Sequence, residues 1–308
     1  MIVASLLVAL ALGQSDPFVR SRVSASDPAG QCLFWTVPTI HWQLSSVGNP
    51  NTSMEDQKQR EFAAIRASFQ SWQRIFDACG NLRFSEGPLV DDRKVGYELK
   101  GDNRNLVLFR SRRCAELVPN DNKCWDEDTC GNDFDCWDGD PQTIALTLTT
   151  YDEKSGIIYD SDIQLNANGF VFTTVDSPPA PICPRPISGN PGNCVATDVQ
   201  NTMTHEIGHL IGLDHTRALG SVMNPSAPQG EVSKRNIDEG SADFVCKSYP
   251  KAQASQSCVT PSLERSGDVA VLGQHAIGCS SAGAGAWWPA MAGWALLAWR
   301  RRRGGARS

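Results

Sequence analysis

The chain has no cysteine pair at C-x-x-C spacing, no D-x-[DN]-x-[DN]-G loop and no basic residue ahead of its first hydrophobic run. The first absence argues against a zinc-knuckle site, and the second removes the EF-hand form of calcium binding. Without a basic n-region only the α-amino group supplies positive charge at the start. Ile2 to Leu12 is nonetheless apolar and is followed by small residues suited to signal peptidase, so residues 1–14 read as a signal peptide and 15–30 as a polar lead-in, with a buried first strand as the other reading. Positive charge is also short: 28 Lys and Arg stand against 34 Asp and Glu, for a net −6. Arg300, Arg301, Arg302, Arg303 and Arg307 are the only charges after Cys279, so the body of the chain is more acidic than the total. Such a body has no electrostatic reason to bind nucleic acid. Cysteine is plentiful, with 11 in the chain, and argues for an oxidising compartment. The number is odd. Cys279 stands apart in a Gly278-Cys279-Ser280 context before a hydrophobic run, which leaves ten cysteines to pair in a connectivity that sequence does not give.

Histidine is scarce, five in 308 residues, yet three fall in His205-Glu206-Ile207-Gly208-His209-Leu210-Ile211-Gly212-Leu213-Asp214-His215. On a helix, His205 and His209 lie one turn apart on one face, where both imidazoles reach a single ion. Gly212 lets the chain leave the helix through a backbone shape that a Cβ resists, bringing His215 round as a third ligand. Three imidazoles suit Zn2+ and leave one tetrahedral position open, the mark of a catalytic site. A water there becomes more acidic, and Glu206 is placed to take its proton as general base and pass it to a leaving amine. His41 and His275 have no partner at ligand spacing and read as strand-surface or linker residues.

Ser221-Val222-Met223-Asn224-Pro225 comes next. The whole pattern resembles the metzincin signature H-E-x-x-H-x-x-G-x-x-H with its Met-turn, and the matrixin branch in particular. The resemblance implies a zinc metalloendopeptidase built on a metzincin-like α+β domain, a mixed twisted sheet with two or three helices. It further implies that Met223 forms an apolar floor below the zinc and that the Asn224-Pro225 segment walls the pocket for the substrate side chain after the cut. Matrixins carry a latency motif, P-R-C-G-x-P-D, which this sequence lacks, and the short lead-in leaves no room for a folded pro-domain. Nor does a repeat or propeller segment come after the catalytic unit.

The rest of residues 31–250 fits such a domain. Cys32 to Leu44 reads as strand, with Ile40, Trp42 and Leu44 on one face. A helix N-capped by Ser53 places Phe62, Ile65, Phe69, Trp72 and Phe76 at helical period until Gly80. Leu82 to Phe84 and Asn105 to Phe109 are short strands, and Asn236 to Lys247 is the last helix. That element order suits a mixed sheet backed by helices. Thr143 to Asp152 and Gly156 to Asn166 form a strand pair, whose second member, Ile157 to Asn166, is similar to the G-x-I-x-D-A-D-I-x-x-N run of bacterial matrixin-like proteins. This likeness implies that the preceding strand, Ile144, Ala145 and Leu146 to about Leu148, is the exposed edge that pairs antiparallel with an extended substrate; an ordinary core hairpin is the alternative. A Cys-rich acidic insertion at 111–142 has too little apolar content for a core and reads as disulfide-pinned. Its acids suit either a solvated loop or Ca2+, for which clustered oxygens suffice. Pro178 to Gly192 is an irregular loop clipped by a disulfide.

Residues 251–278 read as a polar linker and 279–308 as a C-terminal segment in which Cys279, the run Ala282 to Trp299 and the arginine block together resemble the myxobacterial sorting signal. A plain single-helix anchor is the alternative. The expectation is an exported protein, extracellular or displayed on the outer membrane, its tail transiently in the inner membrane and its partner a protein or peptide substrate; the oligomeric state stays open. A non-catalytic surface binding or adhesion protein on the same fold, and a zinc hydrolase of another bond, are the rival functions. An intact Glu206 with all three histidines speaks against the first, and the edge strand speaks for peptides by analogy alone.

Overall fold

The computed structural model describes residues 17–52, 54–175, 180–185, 187, 193–259 and 272–281. The signal-peptide reading, Ser53, and the Ala282 to Trp299 run with its arginines lie outside them. No helix of the described residues is long and apolar enough to cross a membrane.

After β1 (Val19–Arg20) and β2 (Thr39–Leu44) comes the long helix α1 (Glu55–Cys79), followed by β3 (Arg83–Glu86) and β4 (Asn105–Arg110). The short helices α2 (Cys114–Leu117), α3 (Cys124–Glu127) and α4 (Cys130–Phe134) form the insertion, and β5 (Ala145–Asp152) and β6 (Ile158–Asn166) the hairpin. Two-residue strands β7 (Phe172–Thr173) and β8 (Thr197–Asp198) precede helix α5 (Val199–Leu210), and β9 (Leu213–Asp214), helix α6 (Glu239–Ser248) and β10 (Leu272–Ile277) complete the order. Six strands make one mixed sheet in the order β10-β5-β6-β4-β2-β3. β5 runs antiparallel to both neighbours, and the other pairs are parallel. The architecture is therefore α+β, a mixed sheet with three helices of appreciable length.

The aromatic stripe of α1 is fully buried, as the helical spacing requires. Trp42 of β2 stacks on Phe69 with ring centroids 3.8 Å apart. α1 packs on α5 and α6, and Cys79–Cys246 joins its last turn to α6. The helix starts at Glu55 with Met54 in the cap position and no side-chain cap; Glu55 and Asp56 instead place negative charge at the positive end of its dipole. Of the strand expected over Cys32 to Leu44, only Thr39–Leu44 joins the sheet. Cys32 to Trp35 is buried but makes isolated bridges, because Cys32 is bonded to Cys258 and Trp35 is turned to donate its indole N–H to Leu210 O at 2.8 Å. The last helix begins at Glu239, with Asp238 as its N-cap, rather than at Asn236.

The insertion is pinned by Cys114–Cys136 and Cys124–Cys130. Arg110, buried at the end of β4, ties it to the sheet by donating to Gln164 Oε1 at 2.9 Å and to Asp135 Oδ1 at 2.7 Å. Cys183–Cys194 clips the proline-rich loop.

The largest departure from expectation is β10, which sequence places in a polar linker. It lies antiparallel on β5, from Leu272 opposite Asp152 to Ile277 opposite Thr147, so that β5 is an inner strand and β10 the edge. The segment Leu272-Gly273-Gln274-His275-Ala276-Ile277 joins through backbone pairing, which leaves no apolar alternation to read.

One buried acid gives the fold a pH signature. Glu61 on α1 is fully buried; its Oε1 accepts from Asn49 Nδ2 at 3.0 Å and Thr52 Oγ1 at 3.1 Å, while Oε2 has no partner. Burial pushes its carboxyl up to about 7, against the lowering effect of those two donors. A raised folded-state pKa favours the native state fully below the ordinary value of 4.5, and this contribution is lost as pH rises through about 7. Glu61→Gln, which fixes the neutral form, should stabilise the protein relative to wild type by ~2 kcal/mol above neutrality and by little in acid. Thermal melts across that range check it; a gap between the two proteins that does not change with pH would sink the assignment.

Candidate metal centre

Helix α5 is anchored before it reaches its functional residues. Asp198, its N-cap, accepts from Asn201 N at 2.8 Å and receives the guanidinium of Arg235, satisfying end donors and placing a carboxylate at the positive helix terminus. At the far end, Tyr249 donates its hydroxyl to Ile211 O at 2.7 Å, and with Trp35 on Leu210 O it takes up carbonyls that the terminating helix leaves open. Gly212 then adopts φ +98°, and a Cβ there would lie 2.6 Å from Leu33 O. The turn brings His215 to the face already carrying His205 and His209.

The three Nε2 atoms converge. His205 and His209 are 3.1 Å apart, and each is 3.2 Å from His215. His205 Nδ1 is 2.6 Å from Val222 O and His209 Nδ1 is 2.8 Å from Leu213 O. A carbonyl only accepts, so those Nδ1 atoms carry the protons and the Nε2 lone pairs face each other. Burial, with the mutual proximity of the rings and of Lys234, pushes His205 and His209 well below the usual histidine range, and His215 to about 4. The His205 and His209 lone pairs, 3.1 Å apart, repel unless something positive lies between them. A tetrahedral zinc with bonds of about 2.0–2.1 Å needs nitrogens about 3.3 Å apart, which these separations fit.

Glu206 is buried beside the triad, and Thr147 Oγ1 on β5 donates to its Oε2 at 2.7 Å. Burial pushes this carboxyl up to about 7, opposed first by the Thr147 hydrogen bond. Met223 lies under the histidines, close enough that a Cβ on Gly208 would come within 2.2 Å of its Sδ. Gly208, in the middle of the histidine motif, thus admits the methionine. The Met-turn does more than floor the site, since its Val222 carbonyl is the acceptor that orients His205. Asp238 in turn accepts from Val222 N at 2.8 Å and Ser221 Oγ at 3.0 Å, coupling the turn to the start of α6. Lys234, buried, donates its Nζ to Asn224 O at 2.6 Å and Ser226 O at 2.8 Å, fixing the segment after the methionine.

Sequence reasoning missed Thr147, Lys234 and Asp238. Asp238 carried a local signal as an acidic residue at a helix start; Thr147 and Lys234 carried none, because they act on partners 59 and 10 residues away. The four residues expected to contact substrate lie around the segment Gly278 to Ser281. Ile144 N donates to Cys279 O at 2.8 Å, Pro225 O accepts from Ser280 N at 2.9 Å, and Ala145 and Leu146 are the backbone nearest Gly278. Cys279, expected beyond the domain, is buried next to Glu206. His275 is on β10, and His41 is exposed on β2. Among the described residues, the groups able to hold a metal are His205, His209 and His215, and His205, Glu206 and Cys279.

Residues 125–249 match the family model of the matrixins. The match begins inside the insertion, so β1 to β4 and α1 lie ahead of it. The comparison with curated proteins found no match. The family match supports a matrixin-like zinc metallopeptidase, and with it a metzincin-like fold for this mixed sheet and its helices.

Metal analysis of the purified chain should therefore find one zinc, and alanine at His205, His209 or His215 should cut the occupancy. Unchanged zinc content in His215→Ala would eliminate the three-histidine site.

Proposed function

We propose that this protein is an exported zinc endopeptidase that cuts extended peptide segments. The observation that carries the reading is the meeting of three histidine Nε2 atoms beside a buried glutamate. His205, His209 and His215 would hold zinc, which as a Lewis acid would polarise the peptide carbonyl and make a bound water more acidic. Glu206 serves as general base and then returns the proton to the amine nitrogen that leaves. Thr147 positions Glu206 by holding one carboxylate oxygen, so that the other faces the cleft.

Two strips of backbone support an extended substrate. Ile144, at the start of the Ile144 to Leu146 stretch, presents its N–H on one side, and Pro225 and Ala227, in the segment fixed by Lys234, present a carbonyl and an N–H on the other, all three engaged here by Cys279 and Ser280. Peptide recognition through main-chain bonds tolerates many sequences and leaves selectivity to side-chain pockets. Five disulfides suit an oxidising compartment, and the hydrophobic run with its arginine block suits display at the cell surface.

Glu206→Gln keeps the shape but cannot accept a proton, so zinc content should hold while hydrolysis of a mixed peptide library falls by ~10²-fold or more. Full turnover by that variant would remove Glu206 from the mechanism and favour another base; binding without turnover by the wild type would favour the adhesion reading. Thr147→Val removes a donor that favours the ionised carboxylate, so the acidic limb of the kcat/KM profile should move to higher pH. An unmoved limb would show that Thr147 does not position the base.

A further inference from the structure

We propose that the chain is a substrate of its own site: residues 272–281 lie in the cleft as an intramolecular peptide, and the bond that is cut is Gly278–Cys279. This rests on the peptidase reading above.

The segment does not merely close the sheet. A strand added for that purpose could stop at Ile277, but the chain continues past the end of the ladder with backbone bonds on both sides. Ser280 bridges Thr143 in antiparallel sense and Ser226 in parallel sense. On the β5 side, Ile144 N donates to Cys279 O at 2.8 Å and Ser281 N donates to Gln142 O at 3.2 Å. On the opposite wall, Ser280 N donates to Pro225 O at 2.9 Å and Ala227 N to Ser280 O at 3.0 Å. An extended peptide held between two walls next to a metal triad is in the position of a substrate.

One amide in the segment is singled out. The nitrogen of Cys279 lies 3.4 Å from Glu206 Oε1, so the carboxylate that would protonate a leaving amine is already against the nitrogen of the Gly278–Cys279 bond. The residue before that nitrogen has no side chain, and a Cβ on Gly278 would come within 1.9 Å of Ala145 O. Glycine alone brings the backbone this close to β5. The Cys279 side chain just beyond the bond is fully buried, and its Sγ shares one neighbourhood with His205 and Glu206.

The reaction is hydrolysis and needs only water. Water gives a proton to Glu206 as its oxygen adds to the carbonyl carbon of Gly278, Glu206 passes that proton to the nitrogen of Cys279, and the C–N bond breaks. The products are a chain ending in the Gly278 carboxylate and a released piece beginning with the Cys279 amine. Until the piece from Cys279 onward leaves, an outside peptide finds the walls on that side of the cut taken, so hydrolysis of added peptides should rise as the cut proceeds.

The test uses the full chain, loaded with zinc and followed by intact mass and by hydrolysis of a mixed peptide library in the same sample. A cut after Gly278 whose half-time does not change on dilution, absent in Glu206→Gln, is the expected result. A half-time that lengthens on dilution would show one molecule cutting another and overturn the intramolecular step. Gly278→Val should abolish the cut while added peptides are still hydrolysed. If added peptides are hydrolysed by wild type or by Gly278→Val while Gly278–Cys279 stays intact in wild type, self-cleavage fails and the peptidase reading survives; if nothing is cut by either, both fail. A readout independent of turnover is alkylation of the Cys279 thiol in metal-free chain. In Glu206→Gln it should be shielded until the protein is denatured, and adding Gly278→Val should expose it. Equal labelling of the two would show that the segment is not seated in the cleft.

Discussion

Three imidazole nitrogens gathered at one point, two of them with their lone pairs inward, are an arrangement that the chain must hold together before any metal arrives. It does so from behind the rings. Val222 O and Leu213 O fix the protons of two histidines on the far nitrogens, and those carbonyls are themselves fixed, one through Asp238 and the other by the Gly212 turn. Because buried polar groups left unpaired are costly, each of these links makes the next one necessary. The Met-turn, the start of α6 and the exit from α5 therefore form one connected frame. Its apolar counterpart is the stripe of α1, against which α5 packs.

How much of this was legible depended on distance along the chain. The ligands, the glutamate and the glycine that turns the helix fall within eleven consecutive positions, where helical period and backbone preference do the placing, and the structure brings them together. The α1 stripe and the hairpin were equally plain, since their signals are periodic. Thr147 could not be found, because a threonine at an inward position of β5 looks like any other until the sheet brings it under Glu206. Lys234 was hidden for a related reason: a lysine in a polar stretch reads as solvated, and only the fold buries its stem and gives its ammonium two carbonyls. β10 and Cys279 were misplaced because strand addition is a matter of backbone bonding. Gly273, Gln274 and His275 supply amides as good as any others while giving composition the look of a linker.

The insertion illustrates a different division of labour. Its acidic residues suggest ion binding when counted along the sequence, yet Asp135 is engaged by Arg93 and Arg110. Arg110 is wholly buried, and a buried guanidinium without its carboxylate would be strongly destabilising. The carboxylate thus secures the insertion to β4 and β6, and the cysteines hold its own turns in shape.

The disulfide between Cys32 and Cys258 shortens the tether on which the strand is held once Gly278 has been cut. The strand and its new carboxylate belong to the same polypeptide as the domain and stay attached after the distal piece has gone, and the disulfide at Cys258 fixes where their tether begins. A ligand held on its own chain competes at an effective concentration that the length of its tether sets. An incoming peptide must then compete with a carboxylate product that never diffuses away. Occupancy of the cleft becomes a ratio between outside substrate and a fixed internal competitor, and the length of chain between Cys258 and β10 is the quantity that sets the threshold.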